Sequence, residues 1–552
     1  MVDVLSSPEV GSVRPAWQWR RLVSSPAPII LALGILAAAM LALPGKTITT
    51  RALEELMLAL DGLYRVLSGQ VPNSDFHSAL GPLTYYLPAI GYRLSGSYGG
   101  AMPTALSLFL LAAAAISAHV LASRLRAALA VPFAIFLFLV LAVPMNLGDG
   151  VTSLSFAMFY NRVGWVAIAI LLVMYLRPTN PHRAQTVLDV LCASALTLVM
   201  IYTKITYGLV ALVFLLFMLT DRRQRGWTAL TLAITVGLFV LVELFWKSSV
   251  SYAEDIITAA NASGGILRGN FGQILDHLLA NFADYVLLAL LVGIALWRRW
   301  SLRDLVFVLL CAIGGFWLIN QNDQRWGILA IHAAAAVVAE RLLRDFDAGG
   351  QPEGPLVNRA GVQLYFFAFV LPTIVHCAIA LTLHTVVATA SSGRPLPIAG
   401  MESIELADLW TPGDFGAGSW YAGTVAEGIS ALRQVSPAPE RVFTLPGPNP
   451  FSAAMAIRPA SGDAIDMRWN ATLNAVYHVP PQQMLAGVDI VLERLGGGGA
   501  WEVGQLYLPF VRANFHQIAQ TQNWRIFRRN SATLGEVVRP SSSLALSEQP
   551  RG

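Results

Sequence analysis

The sequence predicts a multi-span α-helical membrane protein with about 11 transmembrane helices and a small α/β domain at its C-terminal end. Of its 552 residues, 55% are hydrophobic and only 13% are charged, whereas soluble domains carry about 25% charged residues. Apolar segments that could cross a bilayer recur between residues 27 and 390. After residue 390, short strand-like runs alternate with glycine- and proline-rich turns. The composition excludes a soluble globular protein.

The apolar segments are the predicted membrane spans, since each approaches or exceeds the length of about 17 to 25 residues that a spanning helix needs. They lie at 27–44, 101–121, 128–145, 162–177, 184–202, 206–220, 227–246, 282–297, 303–319, 327–343 and 361–390. The chain is therefore divided into an N-terminal segment (1–26), a membrane domain (27–390) whose first outside loop is 45–100, a C-terminal domain (391–540) and a disordered tail (541–552).

The arginines orient these spans. They precede the first apolar segment and follow the second, fourth, sixth, eighth and tenth. Because cytoplasmic loops carry the excess of basic residues, the N-terminus is predicted to be cytoplasmic and the C-terminal domain extracytoplasmic, or periplasmic. Lysine is nearly absent, a bias typical of GC-rich bacterial genomes, so the predicted location is the bacterial inner (cytoplasmic) membrane.

The C-terminal domain is predicted from three strand-like runs, RVFTLP (441–446), VDIVLER (488–494) and WRIFRR (524–529). Turn signals such as PGPNP and GGGG separate them. The three cysteines, Cys192, Cys311 and Cys377, all lie in apolar segments. We interpret them as small core residues, which predicts no disulfide and no zinc site.

The first outside loop contains unusually many polar residues for a segment between apolar helices. Its stretch RALEELMLALDGLYRVLS (51–68) has a helical period and predicts an amphipathic helix along the membrane surface. In a purely structural interpretation, Asp61 and Arg65 form an exposed i,i+4 pair worth a few tenths of a kcal/mol. Asp75 is then a turn or cap residue. The loop continues with LSGQVPNSDFHSALGPLTYYLP (67–88), which adds His77 to the polar set.

In this loop an acidic helix is followed by the motif G-x-x-P-x-x-D-F and then by G-P-L. This order resembles that of the GT-C membrane glycosyltransferases. The resemblance covers roughly residues 45–210. It implies a polyprenyl-phosphate-linked sugar donor and an acidic residue in the first outside loop that acts as the base or contacts a metal. Family members often place an acidic pair about fourteen residues before the glycine, and here Glu55 lies fourteen residues and Asp61 eight residues before Gly69. The catalytic role therefore stays open among Glu55, Asp61 and Asp75.

Further site residues are predicted in the second outside loop, NLGDGVTSLSFAMFYNRVGW (146–165). Asp149 matches the second acidic residue of the GT-C pattern, although a Gly-Asp-Gly sequence is equally typical of a turn. Tyr160, Asn161 and Arg162 stand at the mouth of the fourth span. Together with His77, the residues Asp149, Tyr160 and Asn161 are predicted to contact substrate or a metal, and Arg162 to bind the donor phosphate.

Two further basic residues are predicted to bind the donor phosphate. Lys204 lies in IYTKITYG (201–208), between two apolar segments, and Arg325 lies in the polar turn NQNDQRWG (320–327). The structural alternatives are a lysine that snorkels to the interface and an arginine that caps helix ends. Neither position belongs to a recognisable nucleotide or metal motif.

The predicted function is an inverting glycosyltransferase of GT-C type. It would move a sugar from a polyprenyl-phosphate donor to an envelope glycan or lipid acceptor on the outer face, among membrane lipids. No cofactor is certain, but outside carboxylates could bind a divalent cation such as Mg or Mn. The alternatives are a transporter, a non-catalytic envelope-assembly protein, or an O-antigen polymerase or ligase. Nucleic acid is not a predicted partner, because no basic, aromatic-interleaved surface is present in the outer loops.

Overall fold

The computed structural model describes residues 25–265, 271–321, 324–349, 358–496 and 500–530. The predicted cytoplasmic segment up to residue 24, the end of the predicted C-terminal domain and the predicted disordered tail (541–552) lie outside the described residues.

The first part of the chain is mainly helical. Its elements are α1 (Ala27–Ala42), β1 (Thr47–Thr49), α2 (Leu53–Leu67), β2 (Phe76–His77), α3 (Leu83–Ser95), α4 (Tyr98–Arg124), α5 (Ala127–Ala142), α6 (Phe159–Val173), α7 (Arg183–Thr203), α8 (Ile205–Met218), α9 (Arg225–Trp246), α10 (Ser249–Ala262), α11 (Phe271–Ala280), α12 (Phe282–Arg298), α13 (Leu302–Gln321), α14 (Leu329–Asp347) and α15 (Arg359–Ala390). Each of the eleven predicted apolar segments coincides with a helix.

The second part contains most of the strands. Its elements are β3 (Arg394–Pro395), β4 (Ile404–Leu406), α16 (Pro412–Arg433), β5 (Val442–Leu445), α17 (Pro450–Met455), β6 (Asp463–Ala464), α18 (Pro481–Met484), β7 (Ile490–Arg494), α19 (Ala500–Asn514), β8 (Phe515–Gln520) and β9 (Trp524–Arg529).

Among the described residues, five helices are long and apolar enough to cross a membrane: α4, α7, α9, α13 and α15. The pair α11 and α12, bent by 60°, would make a sixth span. Four further apolar helices are shorter. The 16 residues of α1, for example, extend only about 24 Å at 1.5 Å per residue, less than the ~30 Å hydrocarbon layer. Eleven spans therefore stay a prediction.

The helical core is centred on α6, in which all residues from Phe159 to Val173 are buried. Helix α14 packs on α6, and α1 and α3 pack on α4. In contrast, α9 exposes large apolar side chains, among them Val236, Leu244 and Phe245. An apolar face of this size is expected where lipid is the solvent.

Two short parallel strand pairs join residues 45–100, the predicted first outside loop, to the C-terminal part of the chain. Strand β1 pairs with β4, with Thr47 opposite Ile404. Strand β2 pairs with β6, with Phe76 opposite Asp463. The loop and the segment that follows residue 390 are thus hydrogen-bonded to each other, and the main site lies along this junction.

The C-terminal segment contains a four-stranded mixed sheet with the strand order β5-β7-β9-β8. Strands β5 and β7 are parallel, whereas β9 runs antiparallel to both of its neighbours. The three predicted strand-like runs correspond to β5, β7 and β9. Strand β8 was not predicted, because it follows α19 directly and without a turn signal.

Candidate functional site

Helix α2 begins after Ala52, whose φ of 55° is left-handed. Its apolar stripe is buried as predicted: Leu56, Leu60 and Leu63 are at most 1% exposed. The position of α2 along the membrane surface stays a prediction, whereas its polar face, which the structural interpretation left solvated, is covered by protein. The hydroxyl of Tyr64, for example, donates to the carbonyl of Ile457 at 3.0 Å.

Asp61 and Arg65, on that covered face, belong to a buried three-residue ion network. Arg65 Nε donates to Asp61 at 3.0 Å, and its two terminal nitrogens donate to the two oxygens of Asp463 at 2.7 Å each. The three side chains are each 1% exposed. The structural interpretation of Asp61 and Arg65 as an exposed surface pair is therefore wrong. The pair fastens α2 to the C-terminal segment.

The carboxylate of Asp61 is buried and engaged on both of its oxygens. One of its carboxylate oxygens accepts from Arg65, and the other accepts from the backbone N–H of Asn449 at 3.3 Å. Burial raises the pKa of Asp61 to about 6, against the opposing effect of Arg65. Asp61 is thus a structural carboxylate in this fold.

Asp75 organises the turn that follows α2. Its carboxylate accepts from the backbone N–H of Val71 at 2.7 Å, and its own N–H donates to the carbonyl of Val71 at 2.8 Å. Its carbonyl accepts from the N–H of Gly462 at 2.6 Å. This is the turn role that the structural interpretation gave it, and it adds a second attachment to the C-terminal segment.

His77 forms a dyad with Asp255, a residue of α10. Its Nδ1 lies 2.7 Å from Asp255 Oδ1, and its Nε2 lies 2.9 Å from the amide nitrogen of Gln483. Burial alone would lower the pKa of His77, but the hydrogen bond and charge of Asp255 outweigh it, so the pKa is raised. The dyad lines a polar cavity of about 200 Å³.

The G-P-L sequence places α3 against the break between α7 and α8. A side chain at Gly81 could not fit, because its Cβ would lie 2.1 Å from the carbonyl oxygen of Tyr202. The Gly81 N–H and the Thr84 hydroxyl donate to the same Thr203 carbonyl, at 3.0 and 3.1 Å. The next residue, Lys204, separates the two helices and lies with its Nζ 5.2 Å from the ring centroid of Tyr160.

These elements surround a cavity of about 500 Å³, which we call the junction cavity. Its lining comes from the start of α2, from α3, from the start of α6 and from three C-terminal stretches. The lining residues are Ala52, Glu54, Glu55, Leu58, Ala59, Leu80, Thr84, Tyr85, Met158, Phe159, Tyr160, Pro446, Gly447, Pro448, Ile465, Asp466, Met467, Arg468, Trp469 and Arg494.

Carboxylates and guanidinium groups alternate around the junction cavity. Glu54 accepts from Arg494 at 2.9 Å, and Asp466 pairs with Arg468 at 2.8 Å. The carboxylate of Asp466 raises the pKa of Arg468, and Glu55 adds to this effect. Proton acceptors and fixed cations therefore stand side by side, as an acid–base reaction at a phosphate ester requires.

Two of the predicted site residues, Glu55 and Tyr160, line the junction cavity, and Lys204 lies against Tyr160. The other predicted residues do not line it: Asp61, Asp75, His77, Asp149, Asn161, Arg162 and Arg325.

Asn161 and Arg162 face the helix core. Asn161 is 4% exposed and Arg162 is 1% exposed. One terminal nitrogen of Arg162 donates to the carbonyl of Met145 at 2.8 Å. Among the described residues, the other terminal nitrogen of Arg162 and the Asn161 oxygen have no hydrogen-bond partner. In this structure neither side chain can reach a ligand in the junction cavity.

Asp149 and Arg325 are held in ion pairs away from the cavity. Asp149 accepts from Arg51 at 3.1 Å, and burial raises its pKa in spite of that partner. Arg325 pairs with Asp276 at 3.0 Å, and its side chain is 68% exposed. Asp149 lies in a turn, as its structural interpretation held, whereas the side chain of Arg325 pairs with a carboxylate instead of capping a helix end.

Sequence reasoning missed Glu54, Asp466, Arg468 and Arg494 as site residues. A signal was present in DAIDMRWN (463–470), where three charged residues and a tryptophan fall within eight positions. Nothing in the sequence ties that segment to the first outside loop, because the pairing of β2 with β6 is not local.

Two of the three carboxylates that line the junction cavity are not free to hold a divalent cation. Oxygen-ligated cations need several carboxylate or carbonyl oxygens around one point, but Glu54 and Asp466 are engaged by arginines. The described residues include no group of three or more His, Cys, Asp or Glu that could hold a metal ion.

No protein-family model and no curated protein matches the sequence. Among solved structures, the chain is similar to ArnT from Cupriavidus metallidurans in the apo state (TM-score 0.45) and bound to undecaprenyl phosphate (TM-score 0.44). The sequence identity is 14% in both comparisons, which cover 94% of this chain and 99% of the ArnT chain. It is also similar to the oligosaccharyltransferase AglB from Archaeoglobus fulgidus in complex with an inhibitory peptide and a dolichol-phosphate (TM-score 0.32, 11% identity, 94% of this chain and 75% of that one). The likeness is limited, with sequence identities of at most 14% and TM-scores below 0.5. At these scores it assigns neither substrate nor site residues to this chain.

Proposed function

We propose that the protein transfers a sugar from a polyprenyl-phosphate donor to a hydroxyl group of an envelope glycan or lipid acceptor, at the extracytoplasmic face and with inversion of the anomeric carbon. The observation that carries this proposal is the junction cavity, where Glu54, Glu55 and Asp466 share one lining with Arg468 and Arg494. Glycosyl transfer from a lipid phosphate needs a proton acceptor for the incoming hydroxyl and fixed cations for the departing phosphate.

The proposed step uses Glu55 as the base. Its carboxylate takes the proton of the acceptor hydroxyl while that oxygen forms a bond to the anomeric carbon. The bond between the anomeric carbon and the phosphate oxygen breaks, and its electron pair leaves with the polyprenyl phosphate. We choose Glu55 because it lines the cavity and has the spacing to Gly69 that the GT-C resemblance implies.

Arg468 and Arg494 are proposed to bind the departing phosphate. Both are fixed by a carboxylate, Asp466 and Glu54 respectively, so their charges are oriented before the donor arrives. Preoriented cations stabilise developing charge without reorganisation at the moment of reaction. Lys204, at 5.2 Å from the Tyr160 ring, is proposed to assist from the membrane side of the cavity.

An apolar groove beside the cavity supports a lipid donor. It has a volume of about 460 Å³ and is lined by α3, α7 and α9, including Leu83, Tyr86 and Leu198. The neighbouring residues Thr84 and Tyr85 line the junction cavity. A donor could therefore place its phosphate in the cavity and its isoprenoid chain in the groove.

The test is sugar transfer by the purified protein in nanodiscs, with a polyprenyl-phosphate sugar as donor. Glu55→Gln keeps the shape of the side chain but cannot accept a proton, so the rate should fall about 10²- to 10⁴-fold. Asp75→Asn is the matched control, because Asp75 only holds a turn, and its rate should stay within about threefold of the wild type. If Glu55→Gln transfers sugar at the wild-type rate, Glu55 is not the base.

A further inference from the structure

A second large cavity, of about 490 Å³, lies where α12 ends and α13 begins. Two aspartates and six arginines line it; the arginines are Arg177, Arg298, Arg299, Arg303, Arg341 and Arg344. We call it the arginine cavity. A concentration of guanidinium groups around one cavity is expected where an anion binds.

The arginine cavity is separate from the junction cavity. Tyr160, near the start of α6, lines the junction cavity, whereas Tyr175, just past the end of α6, lines the arginine cavity. The 15 residues of α6 extend about 22 Å at 1.5 Å per residue. A ligand in one cavity therefore cannot contact the other, and the arginine cavity lies on the side that the arginine distribution predicts to be cytoplasmic.

Nearby carboxylates neutralise part of this charge. Arg177 and Arg303 share Asp221, at 2.9 and 2.8 Å, and Arg298 lies 3.5 Å from Asp345. In the described part of the chain no carboxylate pairs with the exposed side chain of Arg299. Arg341 pairs with Asp304, and Arg344 pairs with Glu340. Among the described residues, six arginines thus stand against four carboxylates, so the cavity keeps a net positive charge that an anion would complement.

The remaining wall of the arginine cavity is mainly apolar, with Gln224 and Ser301 as polar exceptions. It includes Val292, Leu296 and Leu342. Two tryptophans flank the arginines at the end of α12, and both are largely exposed: Trp297 is 78% exposed and Trp300 69%. Exposed tryptophans at helix ends typically mark the membrane–water interface. The cavity therefore combines a cationic mouth with an apolar wall at the depth of lipid headgroups.

We propose that the arginine cavity binds the headgroup of an anionic phospholipid, with the phosphate between Arg298, Arg299 and Arg303 and an acyl chain along α12. A soluble phosphate would use the guanidinium groups but would leave the apolar wall and the tryptophans without a partner. The apolar wall and the interfacial tryptophans favour the lipid as the source of the phosphate. This site is independent of the proposed transfer reaction.

The test measures lipid binding to the purified full-length protein in detergent by native mass spectrometry, with thermal unfolding as a second readout. The probes are dioctanoyl phosphatidylglycerol, dioctanoyl phosphatidylcholine and inorganic phosphate. The double variant Arg298→Gln/Arg299→Gln should bind phosphatidylglycerol roughly 30-fold more weakly, at about fivefold for each arginine. The single variant Arg299→Gln changes an exposed side chain that folding does not need, and it should lose about fivefold.

Arg222→Gln/Arg223→Gln is the matched control, because these two arginines are exposed and lie outside the cavity. The control has the same net charge as the cavity variant and should keep wild-type binding. Two results together support the site. Only the cavity variants lose binding of phosphatidylglycerol, and the wild type binds phosphatidylcholine and inorganic phosphate weakly. The proposal is overturned if phosphatidylcholine or inorganic phosphate binds as tightly as phosphatidylglycerol, or if both variant pairs lose binding equally.

Discussion

Arg65 donates two hydrogen bonds of 2.7 Å to the carboxylate of Asp463, a residue 398 positions further along the chain. The contact joins the first outside loop to the C-terminal segment, and Asp61 completes it from the other side of the guanidinium group. This buried network holds α2 and the C-terminal segment together, and both of them line the junction cavity.

Arg65→Met should destabilise the protein strongly. The substitution leaves Asp61 and Asp463 buried without their cation, and breaking a buried ion pair in this way costs about 3–5 kcal/mol. Thermal unfolding in detergent measures the effect. Arg325→Met is the control, because its exposed pair with Asp276 should contribute only about 0–1 kcal/mol. Equal effects of the two substitutions would contradict the structural role of Arg65.

The same network predicts a pH dependence of stability. Burial raises the pKa of Asp61 to about 6 in the folded protein, above its usual value of 3.8. The folded state therefore binds this proton more tightly, and the contribution to the free energy of unfolding is full below about pH 4 and is lost as the pH rises through 6. Each pKa unit corresponds to about 1.4 kcal/mol. Between pH 7 and pH 5 the wild type should gain stability relative to Asp61→Asn, and a constant difference would refute the prediction.

Gly81→Ala should impair both folding and transfer. The new Cβ would lie 2.1 Å from the Tyr202 carbonyl, so the backbone at the α7–α8 break must move, at a cost of about 1–3 kcal/mol. A displacement of Thr84 and Lys204 by about 1 Å should slow transfer about 10²-fold. Gly226→Ala is the control, since a Cβ there meets no atom within 4 Å. Melting temperature and transfer rate are the measurements.

The apolar groove predicts a dependence on the length of the donor chain. Leu198→Trp narrows the groove and should raise the KM for an undecaprenyl-phosphate sugar about tenfold, the equivalent of about 1.4 kcal/mol of lost binding. The KM for a ten-carbon donor that is too short to fill the groove should not change. Leu191→Trp, on the same helix but 51% exposed and outside the groove, should leave both values as they are. An equal increase in KM for the long and the short donor would show that the groove does not bind the donor chain.

Transfer should continue when divalent cations are removed. Two of the three carboxylates that line the cavity, Asp466 and Glu54, are already paired with Arg468 and Arg494, and these arginines can supply the positive charge themselves. The measurement is the initial rate after dialysis against EDTA, which should stay within about twofold of the untreated enzyme. Restoration of a lost rate by Mg or Mn would show that a metal takes part.

The helices and strands that depend on a local sequence pattern were predicted correctly. The apolar segments became helices because their length and composition leave no other way to satisfy the backbone in lipid, and the runs that form β5, β7 and β9 alternate between turn signals. Glu55 was one of three carboxylates that the GT-C resemblance implied, and it lines the junction cavity, while its catalytic role stays a prediction.

Contacts between distant segments were not predictable. Asp61 and Arg65 read as a surface pair because no local pattern shows that Asp463 covers them. Arg468 and Arg494 were missed for the same reason, since they reach the cavity only through the C-terminal strands. The predicted phosphate role of Arg162 rested on its place at a helix mouth, whereas the structure turns its side chain into the helix core.

The pairing of β2 with β6 also sets the order of events during synthesis. The first outside loop leaves the ribosome long before Asp463, its partner 398 positions later. At about 5–20 residues per second, the ribosome needs roughly 20–80 s to supply that partner. Throughout this interval Arg65 has Asp61 beside it but lacks the carboxylate of Asp463, and the polar face of α2 lacks its C-terminal cover. A chain that stops before residue 463 never gains that cover, so its junction cavity stays half built and accessible to proteases and chaperones.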